Sequence, residues 1–183
     1  EEKLGVNYPN IQYDLYSSQY WISNFPQLTS NAFAKLNQLK QNKIEINEIF
    51  DLEKWADFFA IVDFSNTLHG SISKSVKLFY NPVTGKFEPI GFDGHYGLEI
   101  INDFIILDFL DVKNTKCGYL CSEREWYIKF LKKKDGNLNN EFIDLYLKAL
   151  NTISSKKFLN DFNEKNLKEI KFYNSQLLSD NSK

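Results

Sequence analysis

Apolar residues recur along this chain with two different periods, and the longest run fits a helix. In FDLEKWADFFAIVDFSNTLHG (50–70), Leu52, Trp55, Ala56, Phe58, Phe59, Ile61, Val62, Phe64 and Leu68 cover nearly the whole circumference of a helix. A helix that is apolar all round belongs in the middle of a fold. Helix 52–68 is therefore expected to be the most buried element, with Trp55, Phe59 and Val62 against later helices. Asp51 can cap its start, Glu53 suits the first-turn dipole, and Gly70 offers a stop. Polar residues inside such a helix need a reason, which singles out Asp57, Asp63 and Asn66.

The period changes to two in SVKLFYNPVTGKFEPIGFDGHYG (75–97). Val76, Leu78 and Tyr80 alternate with other positions, Phe87 and Pro89 follow, and NPVTG between them reads as a hairpin loop. Pro82 pre-sets the φ of a turn residue, and Gly85 takes the left-handed position. With the turn centred near Val83, facing residue numbers sum to roughly 166. Ser75 then faces Gly91, and His69 comes near Asp93, His95 and Gly97.

Helical spacing returns elsewhere. TSNAFAKLNQLKQNK (29–43) predicts a short amphipathic helix with Thr29 or Ser30 as N-cap. Residues 1–27, broken by Pro9 and Pro26, read as an irregular packed segment. The run 100–112 keeps helical spacing through Ile101, Phe104, Ile105, Asp108, Phe109 and Val112. SEREW (122–126) offers a capping box, Ser122 with Glu125, for a helix to about Lys134. A helix starting near Asn140 should bury Phe142, Leu145, Tyr146 and Ala149, and one or two more follow, carrying Phe158, Leu159, Phe162, Leu167, Ile170 and Leu177. The expected class is α+β, mainly helical, a helical body with one β-hairpin. Residues 1–44 form an irregular or helical N-terminal segment, in one compact unit with 45–183.

Composition narrows the function classes. The chain has 183 residues, is 43% hydrophobic and 16% aromatic, and carries 16 Phe, 10 Tyr and no Met. That is enough apolar bulk for a core without staples, which argues against disorder. A formal charge of −2 provides no global basic field for nucleic acid. The longest apolar region, 100–112, contains three Asp and is too short to span a bilayer. No signal-peptide pattern opens the sequence. Cys117 and Cys121 in CGYLC read as two free thiols or one small local disulfide, since redox use would want C-x-x-C and zinc two more ligands nearby. Compartment and oligomeric state stay open.

Three groups carry candidate chemistry. Asp93, at the end of a hairpin strand among small residues, is either a carboxylate presented to a metal or phosphate, or an Asx-turn residue. His69 and His95, the only histidines, could join it as metal ligands, whereas a helix-end His also serves as a C-cap. Asp63 is either a buried carboxylate with a catalytic role or a core group satisfied by a Lys or a backbone donor. The P-loop, dinucleotide and nucleophile-elbow patterns do not occur.

The run FDLEKWADFFAIVDFSNTLHG…KLFYNPVTGKFEPIGFDGHYG resembles the central block of the CotH kinase family, the spore-coat-type atypical protein kinases. NNEFIDLYLKALNTISSKKFLNDF is similar to the helices that follow in that family, so the likeness spans about residues 45–180. It implies a kinase C-lobe-like body, ATP with Mg²⁺ as cofactors, a protein substrate or partner, and a cell- or spore-surface, extracytoplasmic location. Asp93 matches the metal-binding Asp after the second strand. Gly91 stands where the commonest pattern has a first Asp, and Gly70 and Ser75 stand where many members have a catalytic-loop Asp and an Asn. The HG at 69–70 resembles a subgroup with His-Gly in this loop. The Lys-bearing lobe would precede residue 45, and 44 residues are too short to build it. The resemblance therefore implies phosphotransfer by a truncated or degenerate member. The alternatives are a non-catalytic, pseudokinase-like binding or structural module, or a metal-dependent hydrolase using His69, Asp93 and His95.

Overall fold

Two short segments lead into the body, and the proline between them starts a helix where the sequence suggested a break. The computed structural model describes residues 18–73, 75–92, 94, 104–113 and 117–180. Helix α1 spans Ser18–Asn24 and α2 spans Pro26–Lys40. Pro26 occupies the first helical turn, where its missing N–H costs nothing. Thr29 is therefore inside α2 and not at its N-cap, and its hydroxyl donates to the carbonyls of Phe25 and Trp21 at 2.9 and 3.3 Å. A single turn, α3 (Ile46–Ile49), follows; Phe50 is fully buried behind it.

The central helix α4 spans Leu52–Ser65, and the Asp51 carboxylate accepts from the Lys54 N–H at 3.3 Å as its cap. It stops at Asn66, not at Gly70. Asn66 adopts a left-handed φ of 53° and sends its N–H back to the carbonyls of Val62 and Asp63, an αL cap made by the residue type that best tolerates it after glycine. A separate 3₁₀ turn, Leu68–Ser71, then leads towards the hairpin.

Strand β1 (Lys77–Asn81) pairs antiparallel with β2 (Lys86–Ile90), and these form the only sheet among the described residues. The register is Lys77 with Ile90, Leu78 with Pro89, Tyr80 with Phe87 and Asn81 with Lys86. This is one residue away from the expected pairing. The loop Pro82–Gly85 has an even number of residues, so the facing numbers sum to an odd value. The observed register also keeps Tyr80 opposite Phe87, with ring centroids 4.9 Å apart, whereas the expected one would place Lys86 against Tyr80. Gly85 does take the left-handed position, at φ 64°.

Beyond the hairpin, the expected helix over 100–112 is only a 3₁₀ turn, Ile106–Leu110, within its described part. Helix α5 spans Arg124–Leu131, shorter than expected. Ser122 lies in the preceding 3₁₀ segment Gly118–Glu123, and the N-cap of α5 is Glu123 instead, which makes no side-chain cap bond. Helix α6 spans Asn140–Ile153 and buries Phe142, Tyr146 and Ala149 as expected. One helix, α7 (Lys156–Asp180), follows.

The protein is thus mainly helical with one two-stranded hairpin among its described residues. Its core is an aromatic stack: Trp55 and Phe59 of α4, Trp126 and Phe130 of α5 and Phe142 of α6 are all fully buried, with successive rings 4.9 to 6.0 Å apart. Trp55 donates its Nε1–H to the Phe87 carbonyl at 3.1 Å, which fastens β2 to α4. Helix α4 is not buried all round. Glu53, Asp57, Ile61 and Phe64 form an open stripe, at spacings of three and four residues, with Ile61 and Phe64 about half exposed. No described helix is long and apolar enough to cross a membrane.

Candidate functional site

The segment after α4 is held from several sides. The Ser71 hydroxyl donates to the Leu68 carbonyl at 2.8 Å and lies 2.9 Å from the Tyr127 hydroxyl, while the Ser71 carbonyl accepts from Trp126 Nε1–H at 2.8 Å. Two residues on, Ser73 donates both its N–H and its hydroxyl to one oxygen of Glu123, at 3.0 and 2.6 Å. These partners belong to α5 and the 3₁₀ segment before it, so the helical body fixes this loop. Gly70 is buried in it, and Ile72 is buried beside it.

His69 is half-buried on the same turn, with Nε2 3.3 Å from the Ser75 hydroxyl. Gly94 returns to the start of the loop: a methyl group there would lie 3.7 Å from Cβ of Thr67. Gly94, the described residue of the 93–97 stretch, therefore lies beside Thr67 at the start of the loop after α4. Asp93 and His95 lie outside the described residues.

Asp63 sits apart from His69 in its bonding. Its Oδ2 accepts a short hydrogen bond from the Tyr146 hydroxyl and a second, at 3.0 Å, from the Ile106 N–H. Oδ1 is buried and has no hydrogen-bond partner. Burial raises the carboxyl to a pKa of about 7; the bonds from Tyr146 and Ile106 oppose that rise, and the Asp108 charge adds to it. Asp108 itself accepts from the Ile105 N–H at 2.8 Å. The Tyr146 phenol is pushed far above its ordinary range by burial first, and then by the Asp63 charge. At neutral pH this carboxyl is poised between its two forms. It joins α4, α6 and the 106–110 turn through one oxygen.

The other singled-out polar residues of α4 have plainer places. Asp57 is exposed, and Asn66 is the helix cap. For Asp63 the expected backbone donor is present, but the side-chain donor is Tyr146 and not a lysine. Glu123, Ser71, Ser73 and Tyr127 were not anticipated as the loop's supports. The cysteines resolve to one of their two readings, a local Cys117–Cys121 disulfide with Cα atoms 5.1 Å apart, in the segment that delivers Glu123. Comparison with protein-family models, curated proteins and solved structures finds no match.

Asp93, which the resemblance places at a metal, and His95 are not among the described residues. Among those that are, no three His, Cys, Asp and Glu side chains converge as a metal site needs. Gly70 offers no side chain, and the Ser75 hydroxyl is engaged with His69.

Proposed function

We propose that this chain is a CotH-like, kinase-fold C-lobe domain that works as a binding module and does not itself transfer phosphate. The family assignment rests on the sequence resemblance, and its support in three dimensions is the order of parts. A largely buried helix, a braced loop, a two-stranded hairpin and a return of Gly94 to Thr67 follow one another, the sequence of parts that kinases use to bring a base and a metal ligand to one phosphate.

The observation that carries the non-catalytic half is Gly70. It is buried at the position where the resemblance expects the base, and the residue at the expected Asn position is Ser75, bonded to His69. Loss of a general base removes about 10²–10⁴ in rate. The fixed loop, with Gly94 beside Thr67, remains as a surface for a protein partner.

The test is direct. The chain is titrated with ATP and Mg²⁺ in a thermal-unfolding assay, and incubated with labelled ATP and a serine-containing protein substrate. The expected outcome is no transfer and no useful stabilisation. A stabilisation above about 2 kcal/mol, which implies ligand near one hundred times its dissociation constant, or label on the substrate, overturns the non-catalytic reading.

A further inference from the structure

Helix α7 has 25 residues, about 37 Å of helix, and packs chiefly on α6 where the two adjoin. Phe158, Phe162 and Tyr173 fall with half-buried Leu159 and Ile170 on a stripe about 120° wide, and those three rings are 39%, 53% and 62% exposed. A helix of this length with an uncovered aromatic stripe is stabilised by a partner that buries it. We propose that the partner is a second copy of this chain, its α7 packed antiparallel on the first.

Charge selects both the occupant and its direction. The stripe is interrupted at its centre by Asn166 and Glu169, with Lys165 on its edge. In a parallel pair Glu169 faces Glu169 of the second copy, a buried like-charge contact. Antiparallel, the interior positions pair crosswise: Phe162 meets Tyr173 of the second copy, Asn166 meets its Glu169, and Lys165 reaches that same Glu169. The two-fold axis repeats each contact, so the surface is complementary to itself. A polar layer flanked by aromatic layers also fixes one register.

The area is enough for a reversible dimer. With an aromatic side chain burying about 150–250 Å², the exposed parts of the three rings give roughly 500–800 Å² across both copies. Leu159, Ile170 and the polar centre bring the total towards the lower end of stable interfaces, about 1,200 Å². A dissociation constant on the order of 10–100 µM is expected at that size and polarity.

Sedimentation equilibrium of the full chain, from about 2 to 200 µM, tests this. A monomer–dimer equilibrium is expected. Phe162→Glu should abolish it with the circular-dichroism helix signal retained. Lys165→Glu and Glu169→Lys, both exposed positions, should each weaken association about tenfold, whereas an equimolar mixture of the two should associate at least as tightly as the parent. Should Phe162→Glu lose helicity, the charge variants decide alone. A monomer throughout, a dimer that survives Phe162→Glu folded, or charge variants that leave association unchanged would each overturn the proposal.

Discussion

The Asp63 carboxyl makes the stability of this fold depend on pH in a direction opposite to that of a salt-bridged acid. Its folded pKa of about 7 lies above the ordinary 3.8, so the folded chain holds this proton where the unfolded chain has released it. Stability from this group is complete below about pH 4 and is lost as pH rises through 7. With about 1.36 kcal/mol per unit, the loss between pH 5 and pH 8 is about 2.5 kcal/mol. Burial sets most of it, and the groups that face the carboxyl are few: the neutral Tyr146 hydroxyl from α6, the Ile106 N–H and the Asp108 charge from the 106–110 turn. Urea denaturation at half-unit steps from pH 5 to pH 8, on the parent and on Asp63→Asn, isolates the contribution as a difference. Asn can still accept from Tyr146 and Ile106 but does not titrate, so the parent should lose about 2.5 kcal/mol relative to the variant over that range. Parallel pH profiles for the two proteins, or a parent that gains stability relative to Asp63→Asn with rising pH, would refute the reasoning.

Removing the Tyr146 hydroxyl with Tyr146→Phe leaves Asp63 Oδ2 one donor fewer; it should cost about 1–3 kcal/mol at pH 8 and move the pH midpoint upward. Phe59→Ala opens a fully buried site among five rings and should cost roughly 3–5 kcal/mol by denaturant titration. Reducing the Cys117–Cys121 disulfide opens a loop of only five residues, so the loss should be about 2 kcal/mol on the chain-entropy scale. A measured loss above twice that would mean that the bridge also holds Glu123 against Ser73, and Ser73→Ala would then show part of the same loss.

What could be read in the chain was periodicity, and what could not was parity, stops and partners. Trp55 and Phe59 on α4 and Phe142 and Tyr146 on α6 announce their buried faces because each repeats at three or four residues over three turns. The hairpin announces itself by alternation, but its register depends on whether the loop holds an odd or even number of residues, and NPVTG is compatible with either. Helix stops were missed where two residue types compete: Asn66 takes the left-handed turn before Gly70 is reached. The open stripe of α4 was missed for another reason. Ile61 and Phe64 are apolar, and apolarity says that a residue can be buried, not that the chain supplies a cover. At the site, a carboxylate in an apolar helix does advertise the need for a donor. Which donor answers is a tertiary fact, since Tyr146 lies 83 residues further on.

The carboxyl at Asp63 and the braced loop have separate hydrogen bonds but a common support. Asp63 holds the 106–110 turn through the Ile106 N–H, and that turn carries Phe109, which stacks on Tyr127 with ring centroids 4.6 Å apart. Tyr127 in turn meets the Ser71 hydroxyl. Arg124 closes the circuit by donating to the carbonyls of Phe109 and Asp111, at 2.6 and 2.9 Å. Apart from the exposed Arg124–Asp111 bond, each link is a buried or partly buried contact, so a shift of the turn has few soft places in which to dissipate. Ionising Asp63 strengthens its two donors' bonds while leaving Oδ1 charged and unsolvated, which favours any rearrangement that admits water beside the turn. Such a rearrangement would act on Phe109 and, through its stack on Tyr127, on Ser71. The loop next to His69 therefore rests, through Tyr127 and Phe109, on a turn held by a carboxyl whose pKa is raised to about 7.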